Sequence, residues 1–186
     1  GVILNNSHSD TYTSIGGNVT GNAALANGGA SIILNEVNSR DPSQLNGMIE
    51  VAGQRAEVVI ANPSGITCNG CGFINASRGT LTTGQAMVEN GVLTGYRVED
   101  GAVAIEGQGL SGMQDYTDII ARSVKINSQV QAEVLNITTG RNVVDAQNST
   151  VTRLADSGTP KPELALDVTS LGSIYTGKIR MIGTEK

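Results

Sequence analysis

Residues with types and spacing suited to chemistry are few here: a Cys68-x-x-Cys71 pair, one histidine, His8, and a Gly107-Gln108-Gly109-Leu110-Ser111-Gly112 run. A C-x-x-C pair is compatible with a redox couple, half of a metal site, two structural thiols or a disulfide. Gly70 and Gly72 flank Cys71 and let the backbone bend enough for the sulfurs to meet. The residues that follow, Phe73 to Gly79, lack the helical period a thioredoxin-like site requires, so a disulfide is the favoured reading. Closing so short a ring removes only about 2 kcal/mol of chain entropy, and the bridge implies an oxidising compartment. His8 offers one base, but no Gly-x-Ser-x-Gly elbow accompanies it, and no catalytic residue is expected. The glycine run follows an apolar strand, Val103 to Ile105, as a dinucleotide loop does. Met113 to Thr117 then starts no amphipathic helix on which a phosphate could rest, so the run reads as a loop and no cofactor is expected. Glu99-Asp100, and Asp115 with Asp118, lack the spacing of a calcium loop, and two Cys with one His fall short of a zinc set, so no metal is expected either.

The elements that must position these residues are short strands. The chain has 186 residues, 39% of them hydrophobic, with one Phe, four Tyr and no Trp. That is enough for one core, read as one domain over 1–186, but the core must be thin and layered rather than built on large rings. A formal charge of −5 with scattered basic residues disfavours nucleic acid. No apolar run approaches the roughly 18 residues needed to span a bilayer, so no stable membrane insertion is expected.

From Gly1 to Gly29 the chain is polar, with Gly16-Gly17 and Gly28-Gly29 as breaks, and reads as an edge or cap. Ser31 to Val37, Met48 to Ala52 and Glu57 to Ala61 are strands. The last meets Asn62-Pro63-Ser64-Gly65, where proline fixes φ and glycine accepts φ > 0, a tight turn. Asn90-Gly91 predicts a hairpin, and Glu99-Asp100-Gly101 a second turn of the same kind, together an antiparallel excursion. Beyond Thr117 come apolar pulses of three to five residues separated by Asn, Ser and Gln without tight reversing signals. These suit successive sides of a parallel β-helix better than hairpins, with a sandwich as the alternative. Coils of roughly 20 to 25 residues at about 4.8 Å each would give seven or eight coils and a rod of about 35 to 40 Å. Ser157 to Pro162 reads as a loop before the final strands. An uncapped end would leave backbone edges open to edge-to-edge self-association.

Asn62-Pro63-Ser64-Gly65-Ile66 resembles the N-P-N-G-I motif of two-partner secretion domains, the N-terminal part of large bacterial exoproteins such as filamentous haemagglutinin, haemolysins and contact-dependent inhibition toxins. Thr67 to Asn75 matches the family's T-C-x-G-C-G-F-I-N continuation. The likeness extends to Ile32 to Val37, Gly53 to Ala56, Asp118 to Arg122, Gly140-Arg141-Asn142 and Gly177 to Arg180, covering most of the chain. Two departures stand out. The family's G-N-P-N-L reads here as Gly21-Asn22-Ala23-Ala24-Leu25, and the capping segment usual upstream of Gly1 is missing, so a fragment of a longer parent is expected. The resemblance implies an all-β, right-handed parallel β-helix with extra-helical antiparallel strands or hairpins. It also implies a secretion signal gripped by the periplasmic, POTRA-like domains of an outer-membrane TpsB-type transporter, on a protein secreted to or displayed on the surface of a Gram-negative bacterium. Asn62, Pro63, Ser64, Gly65 and Ile66, with Asn22 assisting, would then shape the fold or the recognition surface. An adhesin or host-binding module using the β-helix flank is the alternative. A polysaccharide lyase would need clustered carboxylates with basic partners, which the sequence lacks.

Overall fold

A computed structural model describes residues 1–25, 29–112, 114–169 and 174–185. Gly28 of the expected Gly28-Gly29 break and Met113 beside the glycine run lie outside the described residues. Every regular element among the described residues is a strand.

The chain winds in coils with three strand-bearing sides. β1 (Val2–Asn6) opens the first coil, β2 (Thr11–Thr13) and β3 (Gly17–Val19) leave it as a small antiparallel hairpin, and β4 (Ile32–Glu36) and β5 (Ser43–Leu45) complete it. β6 (Met48–Gly53), β7 (Ala56–Ala61) and the start of β8 (Ile66–Ile74) lie on β1, β4 and β5 in parallel register, with Val2 opposite Ile49, Ile32 opposite Glu57 and Ser43 opposite Ile66. The third coil takes the rest of β8 and β9 (Ala76–Thr82). It then leaves as the hairpin β10 (Gln85–Glu89) and β11 (Val92–Val98) and returns with the start of β12 (Ala102–Gly112). The rest of β12, β13 (Tyr116–Ala121) and β14 (Ser123–Ile126) form the fourth. β15 (Val130–Thr139) begins the fifth, β16 (Asn142–Asp145) and β17 (Val151–Arg153) leave it, β18 (Leu166–Val168) closes it, and β19 (Ile174–Gly183) starts a sixth on β15.

The described residues therefore make five complete coils and part of a sixth, not seven or eight. Where nothing intervenes the step is as expected: Ile49 pairs with Phe73 and Leu110 with Val130, 24 and 20 residues on. The shortfall is in the excursions. β10, β11, β16 and β17 spend chain on a separate antiparallel sheet, ordered β10-β11-β16-β17, that lies against the outside of the coil.

Each coil contributes one apolar residue to each interior row, because alternate side chains of a strand point to opposite faces. Ile60, Leu81, Ile119 and Ile137 form one such row, and Cys68, Ile105, Ile126 and Val168 another. The layered core expected from the scarcity of rings is this stack, with Phe73 its one aromatic. A second cluster, Val59, Ala61, Tyr96, Val98, Ile120 and Val144, glues the antiparallel sheet to the outer face of β7 and β13.

The Asn90-Gly91 hairpin forms, with both residues at positive φ (51° and 76°). Glu99-Asp100-Gly101 does not make a second one. β11 pairs with β10 and β16, and β12 returns to the coil parallel to β8. Gly101, at φ 94°, redirects the chain there, and a Cβ on it would meet the Pro63 carbonyl and the Thr83 side chain at 2.7 Å.

Candidate functional site

Asn62 follows β7 at the corner between two sides of the coil and is fully buried. Its backbone N–H donates to Thr82 O at 3.0 Å in the coil above. Its Nδ2 donates to Asp41 O (3.1 Å) and Ser43 Oγ (2.9 Å) in the coil below, and its Oδ1 accepts from Ser64 N (3.0 Å). Gly65 N closes the turn on Asn62 O at 3.0 Å, and Ser64 Oγ donates to Ser39 O. One amide thus fixes its own turn and ties it to the coil beneath. Pro63 is exposed at the apex, Gly65 takes φ 120° under Ala102, and Ile66 enters the core.

Asn22 builds the same local turn: Oδ1 accepts from Ala24 N at 3.1 Å and the carbonyl accepts from Leu25 N at 3.0 Å. It is exposed, however, and sits at another corner, held to the end of β1 by its backbone N–H donating to Ser7 O at 2.7 Å. The two asparagines do not form one site. Nearby His8 places Nδ1 2.7 Å from Leu25 O, which requires a proton on that nitrogen.

Cys68 and Cys71 are bridged, with Cα atoms 5.4 Å apart and both residues buried. The loop they close, Asn69-Gly70, bulges out of β8 and carries a matching bulge in β12, where the register slips between Glu106 and Leu110. This accounts for the glycine run. Asn69 Oδ1 accepts from Gln108 N at 2.9 Å, and Gly107 and Gly109 take φ of 59° and 78° to pass over it. The motif that mimicked a dinucleotide loop is a corner stacked on the disulfide ring. Replacing both cysteines by alanine is expected to lower stability by about 2 kcal/mol, read as a shift in the urea midpoint with the oxidised protein as reference.

A family model described as the TPS secretion domain matches residues 1–186. The chain belongs to this two-partner secretion family. The secretion domain is 62% identical to Toxin CdiA of Yersinia pestis over 186 residues, all of this chain and 6% of that protein. It is 44% identical to 16S rRNA endonuclease CdiA of Enterobacter cloacae and 40% to tRNA nuclease CdiA-2 of Burkholderia pseudomallei, again over all of this chain and 6% of each. The crystal structure of a filamentous hemagglutinin secretion domain superposes with a TM-score of 0.90 at 35% identity, covering 100% of this chain and 65% of that one. The secretion domain is thus an all-β parallel coil of the filamentous-hemagglutinin kind. The nuclease names describe whole proteins of which it spans 6% of the length.

Two polar clusters of the secretion domain went unread as clusters in the sequence, where Asp118 and Glu99-Asp100 were weighed only against a calcium loop. Asp118, 1% exposed, takes Arg78 Nη1 at 2.5 Å and Asn136 Nδ2 at 2.9 Å on the outer face of the coil. Burial pushes its carboxyl above the ordinary value although Arg78 opposes this, and burial raises Glu57 beside it as well. The Arg78 guanidinium stacks over Tyr116, 4.4 Å from the ring centre. At the next corner Arg122 grips Glu185 through Nε and Nη2 at 3.1 Å each and Thr159 Oγ1 at 2.9 Å, while Arg141 donates to the carbonyls of Glu99 and Ala155. Both arginines lie in segments that carried the family resemblance. Their work is to join the antiparallel sheet, its return loop and the last coil.

Proposed function

We propose that residues 1–186 act as a single unit at the N-terminal end of a large exoprotein. An outer-membrane TpsB-type transporter engages this unit through its periplasmic, POTRA-like domains. The match of the secretion-domain family to the whole chain carries this reading. The domain performs no reaction: it marks the chain for export to the cell surface or beyond, and its coils template those that follow. Stacked coils suit an export step without ATP, since each coil completed outside provides hydrogen-bonding edges for the next and opposes backsliding. Within this scheme Asn62, Ser64, Gly65 and Ile66 hold the fold and Pro63 faces outward, while Asn22 supports a separate corner. The outward edges of β1, β4 and β5 offer a further possibility, pairing with a second copy at high concentration. The test is export of the parent chain with its transporter, with and without residues 1–186. The expected result is loss of the secreted protein on deletion; undiminished export would end the proposal.

A further inference from the structure

The two cysteines of this chain close a ring with only Asn69 and Gly70 between them. Asn-Gly is a turn-forming pair and Gly70 takes φ 74°, so closing the ring needs a local turn and nothing from distant parts of the chain. In the folded coil the same sulfurs are shut in, with Cys68 0% and Cys71 1% exposed. Cys68 lies between Leu45 of the coil below and Ile105 of the coil above, and Cys71 is opposite Leu110. The coil above is shaped to a closed ring. Its register slips between Glu106 and Leu110, and Gln108 N donates to Asn69 Oδ1 at 2.9 Å. A Cβ on Gly107 would lie 2.2 Å from Asn69 Oδ1, and one on Gly109 would lie 2.1 Å from Gln129 O, so neither position has room for a side chain. Disulfides are made and broken by a thiolate that reaches a sulfur of its partner. Once the coil above is laid down, Cys68 and Cys71 are closed to oxidant and reductant alike.

We infer that the bridge is made on the unfolded chain, in the periplasm, by a disulfide-bearing oxidant, and that the chain crosses the outer membrane with the ring already closed. One cysteine thiolate attacks the oxidant's disulfide, forming a mixed disulfide and releasing one oxidant sulfur as a thiolate. The second cysteine then displaces the other oxidant sulfur. The chain gives up two electrons and two protons, and the oxidant leaves as a dithiol. A ring with two residues inside it passes as little more than an extended strand, whereas a bridge between distant residues would drag a loop through the transporter. The place of the reaction rests on the secretion reading above; its order, oxidation before stacking, rests on the burial of the sulfurs.

The test follows the parent chain in cells with its transporter and in cells lacking it. Samples are quenched in acid, denatured, alkylated with iodoacetamide and cut with trypsin, which releases both cysteines in one peptide, Ala56 to Arg78. That peptide is expected without adducts, its bridge intact, from the chain held in the periplasm as well as from the secreted chain. Two adducts on the periplasmic peptide would overturn the inference and leave the secretion reading standing. In a second arm the secreted protein meets dithiothreitol, native and in concentrated urea. Reduction of the native bridge is expected to be slower by about a hundredfold or more, because exchange must wait for the coil to open. Equal rates would overturn the sealing on which the order depends. Undiminished secretion without the transporter would instead end the secretion reading, and the reductant arm would still decide the order.

Discussion

Asn62→Ala is expected to destabilise the domain by about 2 to 4 kcal/mol. The substitution removes two donations to the coil below and the acceptor that holds Ser64 N. Each bond contributes about 1 kcal/mol net, and each partner left without water adds to the loss. For a chain of this size the melting temperature should fall by roughly 10 °C. Asn22→Ala is the control, because its side chain makes one local bond at an exposed corner; a loss under about 1 kcal/mol is expected there, as for an exposed capping residue. Asn62→Asp keeps an acceptor for Ser64 N but presents a carboxylate to Asp41 O, so it should rescue little. Circular dichroism melts of the three variants decide the matter. Equal, small shifts at both asparagines would return Asn62 to recognition and remove the structural account.

The turn itself was readable because its determinants are local: β-branched residues before it, a proline that cannot continue a ladder, a glycine at positive φ. The same holds for Asn90-Gly91. The coil number was not readable from pulses, because β10-β11 and β16-β17 carry the same alternation as coil strands and differ only in what they pair with. Glu99-Asp100-Gly101 misled for a related reason. A glycine-containing turn shows that the chain bends, while tertiary pairing decides whether it returns to its neighbour or rejoins the coil. Arg78 with Asp118 and Arg122 with Glu185 are 40 and 63 residues apart, and neither side chain of either pair betrays its partner.

The other large effect lies under the antiparallel sheet. Asp118→Ala is expected to cost about 3 kcal/mol, because it leaves the mostly buried Arg78 guanidinium without its carboxylate and the half-buried Asn136 amide without its acceptor. Asp118→Asn keeps the shape and one acceptor oxygen, enough for Arg78 or Asn136 but not for both, and should cost less. The two variants also separate the charge from the contact. Burial raises the folded carboxyl of Asp118 above its unfolded value, and Glu57 shifts the same way. In the window between the ordinary carboxylate value and the raised one, the folded domain holds protons that the unfolded chain has released. Stability from these groups therefore falls as pH rises through that window and is recovered on mild acidification. Melting temperatures measured from pH 7 down to about 4.5 should show the wild type gaining relative to Asp118→Asn, which has no proton to take up. Parallel curves would mean that Arg78 offsets the burial of Asp118 completely, and the raised carboxyl would then be excluded as a contributor. A falling wild-type curve against a flat Asn variant would require the opposite shift, with Asp118 held ionised by its partner.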